Sequence, residues 1–360
     1  MILLTGATGY IGQKILSKLT NAKQKVIIPI RAKGGVSATA RFSNLGVDEK
    51  FTQIIERDLD SLSEADIDLN LIEVIIHNAA VTAFNVDEKT ANRVNRDGSR
   101  KVFEFASKCP HLKKNIYVST VYTSGMKSDV IDEILFDNKS GFANHYERSK
   151  WEAEKILTEE FNHLPWCIAR VATIISDNTE GVVVQQNAVH NTLKLFFYGL
   201  ISLLPGNPNT PIYLVTGDFV ANALKSILEN GEAKKIYHVV HSFDESLALG
   251  PIIDQAYNVF LEDEGFKSKR ILKPLFTDMS SFETLVENVT HFGGAILSQG
   301  VTSVAPFGKQ LFIPKKIKNE ELKKLMKNDY PIIHMEKVIE ETCRYLVKTK
   351  FAMNPGKKEK

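Results

Sequence analysis

The first twelve residues, MILLTGATGYIG, leave little choice of local structure. Ile2, Leu3 and Leu4 form a short apolar run of the kind a buried strand needs. Gly6, Gly9 and Gly12 follow at even spacing, and a helical pattern then places Ile11, Ile15, Leu16 and Leu19 on one face. Strand, glycine turn and helix in that order make an anion-binding junction. Gly6 permits the tight turn, Gly9 lets backbone approach a pyrophosphate, and Gly12 lets the helix pack close to the strand. The helix start adds unpaired N–H groups and about half a positive charge. This stretch predicts a dinucleotide-binding crossover.

Further strands follow at the spacing of such a fold. Val26–Ile30 reads as the second, Phe51–Leu59 as a third ending in Asp58, and Val74–His77 as the fourth. Asn115–Thr120, Trp166–Val171 and Ile236–His241 complete the set, with helices expected over Ala91–Ser107, Asn144–Leu157 and Thr216–Leu228, the last capped by Asp218. Strands alternating with helices imply a parallel, doubly wound α/β sheet. In this fold the carboxyl end of the second strand meets the adenosine ribose. No Asp or Glu lies between Val26 and Arg41, whereas Arg31 and Arg41 are present, so the pattern favours a 2′-phosphate and hence NADP(H). Asp58 either reaches the adenine amino group or caps the next turn. Ala79, Ala80 and Val81 are small enough to leave room for the cofactor, and His77 reads as a satisfied histidine near the core.

Tyr146 and Lys150 lie one helical turn apart on a shared face, after a strand that ends in Ser119 and Thr120. A lysine ammonium favours the ionised form of a nearby phenol. Such a tyrosine exchanges a proton with a carbonyl or alkoxide oxygen, a threonine hydroxyl steadies the same oxygen, and the lysine also holds ribose hydroxyls. Hydride would come from the cofactor.

TGATGYIG, HNAA, VSTVYTSG and YERSK stand in the order found in the extended short-chain dehydrogenase/reductase superfamily. The chain resembles its thioester-reductase branch, which includes fatty acyl-CoA reductases. Arg31-Ala32 with Arg41, Asp58-Leu59, STVYT, YERSKWEAE and RVATIISDNTEG carry that likeness. The resemblance implies catalysis by Thr120, Tyr146 and Lys150. It implies cofactor contacts at Gly6, Thr8, Gly9, Tyr10, Ile11, Gly12, Arg31, Arg41, Asp58, Leu59, Ala79, Ala80, Val81 and Lys150, with Ser119 as an alternate hydroxyl. It implies a Rossmann domain over residues 1–175 and 213–241, with a smaller substrate-binding region over 176–212 and 242–360. The expected reaction is NADPH-dependent reduction of an acyl thioester on CoA or on an acyl carrier protein. An NAD-dependent nucleotide-sugar epimerase, a ketone or steroid-type reductase and a non-catalytic NADP sensor stand as alternatives. The STVYT strand end has Val121 and Tyr122 where a sugar-nucleotide dehydratase wants an acidic pair.

Composition narrows the partners. A net charge of +2 gives no electrostatic footprint for nucleic acid. The apolar run Leu195–Leu204 is too short to span a bilayer and could line an acyl pocket or form an ordinary buried helix. Cys109, Cys167 and Cys343 are widely spaced with no metal-type pattern, and Met1 already belongs to the first strand, so a reducing cytoplasm is expected. The basic 354–360 tail reads as solvated.

Overall fold

A computed structural model describes residues 1–62, 67–292, 294, 298 and 305–352; the expected solvated tail lies outside these. Seven strands pair in parallel: β1 (Ile2–Thr5), β2 (Val26–Pro29), β3 (Thr52–Ile55), β4 (Val74–His77), β5 (Lys114–Thr120), β6 (Trp166–Val171) and β7 (Lys235–Val239). Their order is β3-β2-β1-β4-β5-β6-β7. The chain builds outward from β1 to β3, then returns to the other side of β1 with β4. That reversal opens a crevice beyond the carboxyl ends of β1 and β4, where open α/β sheets bind ligands.

Strand alternation feeds two cores. Ile2 and Leu4 face one side with Ile28 and Ile76, and Leu3 faces the other with Ile27 and Ile75. Helices α1 (Tyr10–Asn21), α2 (Gly98–Ala106), α3 (His145–Glu159), α4 (Ala188–Phe197), α5 (Gly217–Asn230), α6 (Leu249–Phe260) and α7 (Met335–Lys348) supply the covering faces. Ile15, Leu16 and Leu19 of α1 join Val220, Ala223 and Leu224 of α5 on the first side. Val102 and Phe103 of α2 join Ala153 and Leu157 of α3 on the second. A third cluster unites Leu193 and Phe196 of α4, Ile253 and Phe260 of α6, and Cys343 and Leu346 of α7. Ile317, Leu322 and Met326 come from the expected substrate region yet pack into the first core. They arrive there because Lys315–Ile317 pairs in parallel with Asp129–Ile131.

Several expected boundaries move. β3 stops at Ile55, and Asp58 caps a short 3-10 turn over Leu59–Ser61 by accepting from Leu59 N at 2.8 Å. Helix α5 is capped by Thr216, which accepts from Phe219 N at 3.2 Å. Asp218 is therefore not the cap; it lies in the first turn and pairs with Lys14 at 2.7 Å. The apolar run Leu195–Leu204 is split, since α4 ends at Phe197 and Leu203–Pro205 forms a strand with Leu275–Thr277. All three cysteines are free and buried.

A buried ion pair links the sheet to α3. Arg170 on β6 and Glu154 on α3 meet at 2.6 Å with side chains 0% and 1% exposed. Ser119 donates to Glu154 Oε1 at 2.5 Å, and Arg170 donates to Ile134 O at 2.8 Å and His238 Nε2 at 3.3 Å. Removing one partner leaves the other charge buried without compensation. Glu154→Ala should therefore lower unfolding free energy by about 3–5 kcal/mol, read from the denaturant midpoint. A midpoint unchanged by that substitution would show the pair to be energetically idle.

Candidate active site

The glycine turn sits at the strand reversal. Gly6 has φ +71°, and a Cβ there would come within 2.7 Å of Ala79 Cα and N, so the turn after β1 is pressed against the segment after β4. A Cβ on Gly12 would strike Gly6 O and lie 2.8 Å from Ala7 Cα. Gly9 is the N-cap of α1 and offers no side-chain cap. The first amides of α1 thus face outward with their donors available to an anion. Gly9 N donates to Gly6 O at 3.0 Å and Gln13 N to Gly9 O at 2.9 Å, so the amides between them are the ones open to an anion. The Tyr10 side chain does not contribute there: its hydroxyl donates to Asp177 at 2.7 Å.

The end of the crevice beyond β2 is basic and internally braced. Arg41 donates to Thr8 Oγ1 at 2.8 Å and to Arg31 O at 2.5 Å, and Arg31 pairs with Asp58 at 3.0 Å. Four residues expected at the cofactor therefore converge. Asp58 both caps its turn and neutralises part of Arg31, while Leu59 lies beneath Gly98, where an added Cβ would be 3.7 Å from Leu59 Cδ1.

On the far side, Ala79, Ala80 and Val81 form the floor. Asn95 accepts from Val81 N at 2.8 Å, donates to Val81 O at 3.0 Å and donates to Ser149 Oγ at 3.0 Å. Asn95 is fully buried within a π-helical stretch, Asn92–Asp97. It ties the floor to α3, and nothing in its sequence spacing singles it out. His77 is satisfied as expected, meeting Thr5 Oγ1 at 2.7 Å and Ser99 Oγ at 2.9 Å.

Thr120 ends β5, and Tyr146 and Lys150 follow on α3; all three are buried. Asn144 caps α3 by accepting from Glu147 N at 3.0 Å, which starts the helix just before Tyr146. Burial drives the Tyr146 phenol up to about 12; the nearby Thr120 hydroxyl opposes this, and the charge of Glu147 adds to it. The expected lowering of the phenol by Lys150 is not what this site shows. Burial instead pulls Lys150 down to about 7, against the attraction of Glu154. Its Nζ donates to Val118 O at 2.7 Å and lies 4.1 Å above the Tyr117 ring. Desolvation outweighs pair attraction here because both groups sit in low dielectric and the ammonium is turned to a carbonyl. Ser119 is removed from the role of alternate hydroxyl, since adjacent strand residues face opposite ways and its hydroxyl is held by Glu154.

Aromatic rings close over Tyr146. Phe84 meets Tyr146 edge-on at 5.6 Å and stacks on Phe307 at 5.1 Å, and Tyr122 contacts both Phe84 and Phe307. Val121, Tyr122, Phe307, Gln310 and Lys315 line an adjoining cavity of about 30 Å³. Among the described residues no cluster of side chains is suited to hold a metal ion. No described helix is long and apolar enough to cross a membrane.

A glycine turn at the strand reversal, together with Thr120, Tyr146 and Lys150 at the next strand end, defines the extended short-chain dehydrogenase/reductase class, whose fold binds a nicotinamide cofactor. Within that class the chain belongs to the male sterility protein family of NAD-binding domains, whose model matches residues 4–224. Fatty acyl-CoA reductase wat of Drosophila melanogaster is 23% identical over 272 residues, covering 62% of this chain and 53% of the relative. L-2-aminoadipate reductase of Saccharomyces cerevisiae is 28% identical over 259 residues, covering 62% of this chain and 18% of the relative. The chain thus spans about half, or less, of these relatives' length. The terminal R domain of the myxalamid PKS-NRPS pathway superposes with a TM-score of 0.78 at 19% identity, covering 98% of this chain and 91% of that one. UDP-glucuronic acid 4-epimerase from Bacillus cereus, with NAD, gives 0.68 at 17% identity, covering 99% of both. These likenesses establish a shared fold.

Buried histidines set an acid limit on the fold. Burial lowers His77 and His238 to about 3 and His190 and His241 to about 4, from 6.5. Each stays neutral when folded and takes up a proton on unfolding, so stability is lost as pH falls from about 6.5 toward those values. The urea midpoint measured across that range should fall steadily, and a flat profile would contradict the burial of neutral imidazoles.

Proposed function

We propose that this chain is an NADPH-dependent reductase of an acyl thioester, carried either by CoA or by an acyl carrier protein. The observation that carries the reading is that Tyr146 and Lys150 on one face of α3 are buried together with Thr120, which ends the strand beside the dinucleotide crevice. The relatives named as fatty acyl-CoA and aminoadipate reductases support a carboxyl-level substrate.

The residues fit a nicotinamide dinucleotide. Its pyrophosphate would rest on the amides that follow Gly9, and Arg31 and Arg41 would take a 2′-phosphate. The bracing of Arg41 by Thr8 favours the phosphorylated coenzyme, because a guanidinium already oriented loses less freedom on binding. When bound, the coenzyme supplies hydride to the carbonyl carbon. Tyr146, kept protonated by burial, donates its proton to the carbonyl oxygen as negative charge develops there. Thr120 donates a hydrogen bond to the same oxygen and orients it. Lys150, which burial shifts toward its neutral form, leaves Val118 O to hold ribose hydroxyls and, when charged, to stabilise the phenolate after proton transfer. Phe84, Tyr122 and Phe307 exclude water from the reacting centre.

NADPH oxidation against acyl-CoAs, ketones and nucleotide sugars tests the substrate class. Consumption with thioesters is expected; consumption with nucleotide sugars or ketones alone would replace this reading. Tyr146→Phe should lower kcat by about 10²- to 10⁴-fold. Arg41→Ala should raise KM for NADPH by about 10- to 100-fold, the worth of a charge-assisted hydrogen bond, with KM for NADH unchanged. Equal effects on both coenzymes would refute the 2′-phosphate assignment.

A further inference from the structure

Lys315 lies far along the chain from the catalytic residues, yet it is buried, 6% exposed, against the turn that follows Thr120. A buried ammonium needs acceptors for its protons. Its Nζ donates to Gly125 O at 2.6 Å, Gln310 Oε1 at 2.8 Å and Ser124 Oγ at 3.0 Å. Gln310, also buried, donates to Glu147 Oε2 at 2.9 Å and to Gly125 O at 3.2 Å. Glu147 follows Tyr146 directly and accepts further bonds from Ala143 N and Asn144 Nδ2, each at 3.0 Å.

These contacts fall on two segments only. Ser124 and Gly125 close the turn that leaves Thr120, where Thr123 donates to Thr120 O at 3.0 Å. Glu147 and Asn144 hold the start of α3, which carries Tyr146. The segments are already in close contact: Gly125 has φ +55°, and a Cβ there would strike Gly141 O. Burial pushes Glu147 up and Lys315 down, and each charge opposes the shift of the other. The arrangement is costly in desolvation. Stability alone would be served as well by apolar side chains of similar volume.

We infer that Lys315 and Gln310 are positioning residues for the catalytic pair: by joining the turn behind Thr120 to the helix start behind Tyr146, they set the distance between the two hydroxyls. The inference rests on the reading of Thr120 and Tyr146 as catalytic. Neither Lys315 nor Gln310 bonds to Thr120 or Tyr146 through a side chain; both act through Ser124, Gly125 and Glu147. The C-terminal region thereby completes an active site whose catalytic residues all lie in the first half of the chain.

The test uses the full chain with Lys315→Met and Gln310→Met, each near its parent in volume. Two readouts are taken: steady-state kinetics with the best thioester, and crystal structures with NADPH. A misplacement of about 1 Å between the hydroxyls of Thr120 and Tyr146 should accompany a fall in kcat of about 10- to 100-fold. KM for NADPH should stay within about twofold, because the pyrophosphate and ribose sites are not touched by this network. Should Lys315→Met not fold, Gln310→Met, which leaves the ammonium two acceptors, carries the test alone. An unchanged kcat with only a lower melting temperature, or an unchanged hydroxyl separation, overturns the inference. If the wild-type chain reduces no thioester, the functional reading falls, while the separation in the variant crystals still decides the positioning role.

Discussion

The close approach of the turn at Gly6 to the backbone of Ala79 is the contact on which the rest of the site depends. It exists because β1 pairs with β4 in register, Thr5 opposite His77. A side chain at Gly6 would separate the two strand ends and widen the crevice. With none present, the start of α1 is held at the reversal point, and its free amides face the space a pyrophosphate would fill. His77, bonded to Thr5 and Ser99, secures the same junction from beneath.

The electrostatics of the catalytic pair follow from burial more than from proximity. Two groups of opposite preference share a low-dielectric pocket, and each is pushed toward its neutral form. A neutral phenol suits proton donation to a developing oxyanion, the role proposed for Tyr146. The lysine, resting on a carbonyl and an aromatic face, is poised to gain charge when a new anion or hydroxyl arrives. The surrounding polar network, from Glu154 and Arg170 through Ser119, keeps β5 and α3 in fixed relation. This holds α3 against the strand that ends in Thr120 before any ligand binds.

Much of the dinucleotide half was legible from local pattern. The glycine spacing located the turn, the apolar runs located the strands, and Arg31 and Arg41 marked a basic end of the crevice. Pairings over long separations were not legible. Asn95 gives no signal by type or spacing, and its value lies in meeting Val81 and Ser149 at once. Phe84 meets Tyr146, and Phe307 stacks on Phe84, only through the fold. Ser119 stood as the alternate to Thr120 in sequence, and strand alternation turned it away toward Glu154. Asp218 had the chemistry of a cap, but Thr216 sits where the helix begins and took that place.

The sequence by itself determined the order of strands and helices, the anion-binding turn and the tyrosine–lysine spacing. These depend on neighbours within one or two turns of chain, where side-chain periodicity and glycine content act directly. Only the tertiary structure decided the ionisation of Tyr146 and Lys150, the bracing of Arg41 by Thr8, and the entry of Lys315 into the catalytic half. Those depend on desolvation and on contacts between residues distant in sequence, which form only once the sheet and its cover have closed around them.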